Sequence, residues 1–418
     1  WMPLAPTPRC AAKAAFDSTN NRAVLFGGTS VYADDGYHND AWVLDWANTG
    51  PRGWRLLSPS GTPPAGRADH VFVYDPDGQR MLLFAGSPGR YLVTNDVWQL
   101  GLVRGSESWQ RLTPSGAAPA ARAYAMAVYH PGRRSLIVYG GWSGSTQLGD
   151  VWELQLDSLV WRQLSPSGTP PSARYDAACC LDQAEDRMVV FGGRSGGTFL
   201  SDLWALDLTP GSEQWTQLNQ AGQVPSGRCG FAYAADAAGS ELYIAAGWDA
   251  YDFFSDLYRL DVTTLTWTQV SAGGAELWPR RNLTGFRGPD DLFCIFGGEV
   301  WGSGGYVSDT YCADCRSTGV AWQSPAEFAA NPNLRVNVQS GVARIHWNPA
   351  RPGRATVTVL DVTGRIIARL YEGAAPGGPA LLEWAGTDGT GRAVPAGTYY
   401  CRMQGASYSV AAKFELAR

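Results

Sequence analysis

With 418 residues, 45% of them hydrophobic, the chain is long enough for two or three domains with a core in each. The net charge is −5, the positive charge is nearly all arginine, with Lys13 and Lys413 the only lysines, and no basic run stands out. Nucleic-acid or anionic-membrane binding is therefore not expected as the main activity, and the lack of any apolar stretch of about 18 residues excludes a membrane-spanning helix.

The chain opens on Trp1 instead of methionine, from which a removed leader peptide is expected. Trp1-Met-Pro-Leu4 has the Trp-x-x-Leu spacing that recurs at Trp54, Trp109, Trp161 and Trp215, so it reads as an outer strand closing the last repeat. Trp322, with Pro325 in the leucine position, competes for that place, and a seventh repeat lost upstream is a further alternative.

From Arg9 onward the sequence repeats itself. Copies begin at Arg9, Arg67, Arg122, Arg174, Arg228 and Arg280, at steps of 58, 55, 52, 54 and 52 residues, a regularity that marks a repeat architecture. Each copy continues with a glycine pair or Ala-Gly (Gly27-Gly28, Ala85-Gly86, Gly140-Gly141, Gly192-Gly193, Ala246-Gly247, Gly297-Gly298). An aspartate follows (Asp40, Asp96, Asp150, Asp202, Asp256, Asp309), then an aromatic two residues on (Trp42, Trp98, Trp152, Trp204, Tyr258, Tyr311). A second tryptophan ends the copy: Trp54, Trp109, Trp161, Trp215, Trp267, Trp322. Short apolar runs such as Val71–Tyr74, Met81–Phe84, Val97–Leu100 and Trp109–Leu112, divided by turns such as Asp75-Pro-Asp-Gly78, predict four antiparallel strands, a to d, per copy. A lone sheet of this size leaves both faces wet, so each copy needs a neighbour on either side, which radial packing supplies. The pattern resembles the kelch repeat, and a six-bladed kelch-type β-propeller is expected over residues 1–323, its ring closed by residues 1–4.

Strand direction brings arginine, glycine pair and aspartate to one end of the ring. The six arginines and six aspartates there either bond each other and hold the blades in register, or form an anion or sugar-acid site at the mouth. The b-to-c loops of the same rim carry Tyr32, Tyr37 and His38, then Tyr91, Trp142 and Phe199, then Trp248, Tyr251, Phe253 and Phe254, and last Trp301 and Tyr306. Such aromatics pack between blades or stack on a sugar ring or protein partner, and the centre of the site is expected at Trp248 and Trp301.

Kelch propellers include enzymes. Galactose oxidase builds its copper site from two histidines, two tyrosines and a cysteine, whereas this chain has only His38, His70, His130 and His346. The repeat puts His70 and His130 at opposite ends of a blade, so copper chemistry is not expected. No phosphate loop or His-Glu-x-x-His occurs, the one Gly-x-Ser-x-Gly match, Gly193-Arg-Ser-Gly-Gly197, falls in a b-to-c loop and not in a strand-to-helix elbow, and no catalytic residue or cofactor is assigned. Asp34, Asp35 and Asp40 share a loop and offer calcium ligands, although a solvated acidic loop is the preferred reading. Cys312-Ala-Asp-Cys315 ends a strand and suggests a local disulfide, with free thiols or a zinc site as alternatives.

Residues 324–333 read as a linker rich in alanine and proline. Seven short strands over residues 334–418 then argue a β-sandwich: Leu334–Val338, Val342–Trp347, Ala355–Val362, Ile366–Tyr371, Ala380–Trp384, Gly397–Met403 and Tyr408–Leu416. The stretches Val357-Thr-Val-Leu-Asp-Val-Thr-Gly-Arg365, Glu383-Trp-Ala-Gly-Thr-Asp-Gly-Thr-Gly-Arg392 and Val394-Pro-Ala-Gly-Thr-Tyr-Tyr-Cys-Arg402 resemble the immunoglobulin-like domain of flagellar hook-capping proteins. They are similar also to the C-terminal sorting domains of type IX secretion. The resemblance implies export to the bacterial surface or medium. The chain as a whole therefore reads as a binding or structural protein without catalytic activity. Its propeller rim is expected to recognise a protein or carbohydrate partner, and its sandwich to serve export, anchoring or assembly. The alternative is a carbohydrate-active enzyme, epimerase or sialidase-like, with its site at the propeller mouth.

Overall fold

A computed structural model describes residues 5–30, 36–46, 53–271, 273–274, 277–300, 305–315, 321–322, 333–339, 342–348, 354–374, 380–405 and 409–416. Among them everything regular is β-strand apart from one 3-10 turn, Pro289–Asp291. The chain divides into two compact units, Trp1–Asn48 with Gly53–Gln323, and Ser324–Arg418 with Thr49–Arg52.

The first unit is a propeller. Its first blade orders Lys13–Asp17, Arg22–Phe26, Ala41–Asp45 and Trp54–Leu57 as strands a to d. The second runs Val71–Asp75, Arg80–Gly89, Leu92–Gly101 and Ser108–Leu112, and the third Met126–His130, Ser135–Trp142, Gln147–Gln155 and Val160–Leu164. Blade four has Ala178–Asp182, Arg187–Phe191, Leu203–Asp207 and Gln214–Leu218; blade five has Ala232–Ala235, Glu241–Ala245, Leu257–Asp261 and Thr266–Gln269. Blade six has Thr284–Arg287, Phe293–Phe296 and Thr310–Ala313, with Ala321–Trp322 beyond. Strand b lies between two neighbours and is buried on both faces, as at Arg22–Phe26, whereas strand d exposes its middle, as at Trp54–Leu57, where Arg55 and Leu56 are exposed between buried Trp54 and Leu57.

The strand d tryptophans join the blades. Trp109 packs on Phe26 (ring centroids 4.9 Å apart), Trp161 on Phe84 (5.1 Å), Trp215 on Tyr139 (4.8 Å) and Trp267 on Phe191 (4.6 Å), each reaching strand b of the preceding blade. Trp54 reaches Phe296 of blade six in the same way at 5.4 Å, so first and last blades share the common interface. The expected closing strand Trp1–Leu4 lies outside the described residues. Trp322 fills the tryptophan position of blade six: Ala321–Trp322 runs parallel to Gly273–Gly274 as Thr266–Trp267 does to Ala221–Gly222, and Trp322 is buried beside Tyr243 and Phe293.

The second glycine of each pair has a steric reason. Gly193 has φ +85°, and a Cβ there would stand 2.7 Å from the Tyr175 carbonyl oxygen. The cysteine expectation needs correction: Cys312 bonds Cys294 and not Cys315, which is buried with its thiol toward the Ala313 carbonyl. Cys294 and Cys312 stand directly opposite in the b–c ladder of blade six, their Cα atoms 4.0 Å apart, whereas Cys315 turns into the core next to Trp322.

The second unit has two sheets. One orders Asn333–Gln339, Val342–Asn348 and Ala380–Trp384; the other orders Ile366–Ala374, Arg354–Leu360, Gly397–Gly405 and Ser409–Leu416. Ile345, Trp347, Val357, Val359, Trp384, Cys401 and Phe414 fill its core, and the Tyr399 hydroxyl donates to the Pro395 carbonyl at 2.8 Å, a corner bond typical of immunoglobulin-like sandwiches. Asp361-Val-Thr-Gly-Arg365 and Asp388-Gly-Thr-Gly-Arg392 are matching turns in which the aspartate Oδ1 accepts from the backbone N–H groups two and four residues on.

Candidate functional site

Each repeat arginine is a clamp. The Arg122 guanidinium forms two parallel bonds to Asp150 (2.8 and 2.9 Å), its Nη1 also donates to the Gly140 carbonyl, and its Nε donates to the Ala120 carbonyl. Arg9–Asp40, Arg67–Asp96, Arg174–Asp202, Arg228–Asp256 and Arg280–Asp309 repeat the pairing. In four blades the aspartate also accepts from the tryptophan two residues on, Trp42, Trp98, Trp152 or Trp204. Burial works against the Asp96 charge, but the hydrogen bonds and charge of Arg67 outweigh it and hold the carboxyl at about 2. With the arginines buried and their donors committed, an open anion site made from these six residues does not fit the geometry.

The b-to-c connections extend beyond the blade bodies as paired hairpins. In blade two the ladder continues past a bulge at Ala85-Gly86 to Gly89 opposite Leu92, with Arg90-Tyr91 at its turn. Blade three pairs Trp142 with Gln147, and blade four pairs Arg194 with Phe199. They surround a cavity of about 510 Å³ whose rim carries Tyr37, Tyr91, Trp142 and Trp248 together with Arg90 and Arg194. That volume is in the range of small-molecule sites.

Asp69, Tyr124, Tyr175, Asp176 and Asn282 also line the cavity. Four of these belong to a second ring built into the repeat. Two residues after each clamp arginine stand Ala11, Asp69, Tyr124, Asp176, Gly230 and Asn282, all left-handed with φ between 55° and 62°. Their backbones link blade to blade: Asp69 N–H donates to Ala11 C=O, Tyr124 to Asp69, Asp176 to Tyr124, Asn282 to Gly230, and Ala11 back to Asn282 at 2.7 Å. At the remaining step the Gly230 N–H meets the Asp176 carboxylate. The fixed backbone sets two carboxyls at the cavity. Asp69 is 5% exposed; burial raises it to about 7, Lys13 pulls it down, and Asp176 pushes it up. Burial raises Asp176 as well.

Arg90 and Arg194 are unlike the clamps. Arg90 stacks on Tyr91 at 5.0 Å, and Arg194 donates from Nε to the Gly196 carbonyl at 3.2 Å; neither pairs with a carboxylate among the described residues.

Of the rim aromatics expected from sequence, Tyr37, Tyr91, Trp142 and Trp248 meet at the cavity. The other described ones are not among its lining residues. Phe199 abuts Trp248 edge-on at 5.1 Å, Phe253 lies under Arg281 at 4.9 Å, and Phe254 covers Arg228 at 4.0 Å. His38 bonds Ser30 at 2.6 Å, Tyr306 packs with Tyr37 against Cys10 and Ala68, and Tyr251 is 81% exposed away from the cavity lining. Tyr32, Trp301, Asp34 and Asp35 lie outside the described residues, and Asp40 is held by Arg9 and Trp42. His70 and His130 do stand at opposite ends of their strands a, and His130 bonds Asp186 at 2.6 Å. Sequence reasoning missed Arg90, Arg194 and the left-handed ring. A signal existed for the ring, because Asp69, Asp176, Gly230 and Asn282 are residue types that tolerate a left-handed backbone.

Comparison with known proteins places this geometry. The profile described as "KLHDC2/KLHL20/DRC7 Kelch-repeats domain" matches residues 3–175 and 157–339, and "FlgD Ig-like domain" matches 334–409. The leucine-zipper-like transcriptional regulator 1 homolog of Drosophila melanogaster is 26% identical over 345 residues, which is 78% of this chain and 34% of that protein. Acyl-CoA-binding domain-containing protein 5 of Arabidopsis thaliana is 32% identical over 166 residues, 40% of this chain and 24% of that one. This chain thus spans about a third or less of the length of these two curated relatives. The solved structure of YjhT superposes with a TM-score of 0.58 at 17% identity, covering 77% of this chain and 99% of the other, a likeness of fold.

Proposed function

Since the chain belongs to the kelch-repeat family, its repeats followed by a FlgD Ig-like domain, we propose that it is a binding protein whose propeller mouth takes an acidic group of a carbohydrate or protein partner. One observation carries this reading: a cavity of about 510 Å³ walled by aromatics and holding two arginines that have no carboxylate partner among the described residues. Guanidinium groups recognise carboxylates through a planar fork, and the aromatic rims supply stacking faces. A panel of glucuronate, glucose, and one peptide with a free or amidated C-terminus tests it by calorimetry. Binding confined to acidic members supports the proposal; equal binding of glucose and glucuronate rejects it.

The FlgD Ig-like sandwich serves export, anchoring or assembly at a bacterial surface. The Cys294–Cys312 bond supports an oxidising destination, where disulfides persist. Deleting residues 334–418 in the native host should leave the propeller inside the cell; unchanged export measured by fractionation counts against the role.

A second reading, acid–base chemistry on a sugar, is favoured by Asp69, a carboxyl near 7 facing Asp176. It predicts turnover of a bound sugar acid that Asp69→Asn abolishes while binding persists.

A further inference from the structure

Among the described rim aromatics, Trp248 has two guanidinium groups over its ring. The Arg281 guanidinium stands 4.6 Å from its ring centroid, and that of Arg194 stands 5.9 Å away. The two cations are not equivalent. Arg281 also covers Phe253 at 4.9 Å and is fixed by two bonds to Glu299, at 3.0 and 3.2 Å, so its charge is neutralised. Arg194 has no carboxylate partner among the described residues; beyond its bond to Gly196 and a side-chain contact with Tyr175 it lies over Phe199 at 5.1 Å, and Phe199 in turn meets Trp248 edge-on at 5.1 Å. The backbone of Trp248 exchanges both of its hydrogen bonds with Cys229 (3.0 and 3.1 Å), so the indole projects from a fixed point.

We infer that Trp248 is a positioning residue: with Phe199 it holds the Arg194 guanidinium at the cavity, and a chain of side chains from Glu299 through Arg281 and Trp248 to Arg194 ties blades six, five and four together there. A ring that already carries guanidinium groups is a poor stacking face for a sugar, and a long arginine side chain left free would lose several rotamers on binding. The stack removes that loss beforehand. The inference rests on the proposed acidic ligand only in its second readout.

The first readout needs no ligand. Phenylglyoxal modification of Arg194 is followed by peptide mass spectrometry in the full chain, its Trp248→Leu variant and its Trp248→Phe variant. A cation–π contact at a partly exposed site corresponds to roughly a two- to five-fold effect. Trp248→Leu should therefore speed labelling of Arg194 by about that factor, leave Arg90 unchanged, and keep the melting temperature near the parent's, while Trp248→Phe stays close to the parent. If Trp248→Leu lowers the melting temperature markedly, Phe199→Leu, which removes the other ring beside Arg194, takes its place. An unchanged Arg194 rate in a folded variant overturns the inference. The second readout is the glucuronate affinity, expected to fall by the same factor in Trp248→Leu and not in Trp248→Phe. Faster labelling together with no glucuronate binding even by the parent would keep the positioning role and reject the acidic ligand instead.

Discussion

His70 and Asp69, adjacent in the chain, are buried groups with opposite dependence on pH. His70 is 1% exposed, lies edge-on to Phe26 (5.5 Å) and Phe72 (5.9 Å), and neither ring nitrogen has a hydrogen-bond partner among the described residues. Burial, with Arg67 and Lys13 nearby, pushes it well below its ordinary 6.5. The unfolded chain takes up a proton near 6.5 while the fold refuses it, so this residue lowers stability as pH falls below that point, by up to about 1.4 kcal/mol per pH unit. Asp69 is raised to about 7, so the fold holds a proton that the unfolded chain has released, and stability falls as pH rises from about 4 to 7. His70→Phe should raise the urea midpoint more at pH 5 than at pH 8, and Asp69→Asn more at pH 8 than at pH 4. Parallel shifts at all pH values would disprove both assignments.

At the scale of the strand and hairpin, what the sequence revealed and what it hid have the same cause. The clamp, the glycine pair and the joining tryptophan recur in every blade because each meets the same neighbour, and repetition makes them visible. Strand boundaries in the sandwich are legible for a related reason: alternation over residues 354–357, with Ala355 and Val357 buried and Arg354 and Thr356 more exposed, follows the period of one buried face. The cavity escapes because it is made where the copies differ. Arg90 and Arg194 sit in b-to-c hairpins of unequal length, and only the extension of blade two past Met81–Phe84 to Gly89 shows that such a loop is a ladder carrying Arg90 at its turn. The disulfide escapes because Cys294 and Cys312 are 18 residues apart, and their opposition depends on the b–c register. The glycine pair gives a test at this scale. Gly193→Ala puts a methyl group against the Tyr175 carbonyl in a left-handed backbone and should cost about 2 kcal/mol in denaturant unfolding, in line with local strain of that kind. A neutral result would show that the b-to-c turn has room to shift.

The whole propeller depends on its ring being continuous. The first and last blades meet through Trp54 on Phe296, the Trp54 Nε1–H bond to Thr310 Oγ1 at 2.7 Å, and Ala11 N–H donating to Asn282 C=O. Trp54→Ala should therefore cost as much as Trp161→Ala at an internal junction, about 3–5 kcal/mol each in urea unfolding. A much smaller cost at Trp54 would mean that the ring is open there.

Ring closure fixes the geometry in which Arg90 and Arg194 face one cavity, and the proposed role of the mouth depends on what those two side chains bind. The decisive measurement is the dissociation constant of glucuronate for the parent chain and for the double variant Arg90→Gln/Arg194→Gln, by calorimetry at low salt, with melting curves to check the fold. Removing two charge-assisted hydrogen bonds should weaken binding by about 3 kcal/mol, more than a hundredfold, with glucose binding weakly to both. Equal glucuronate affinity in the folded double variant would contradict an acidic-group site at the mouth.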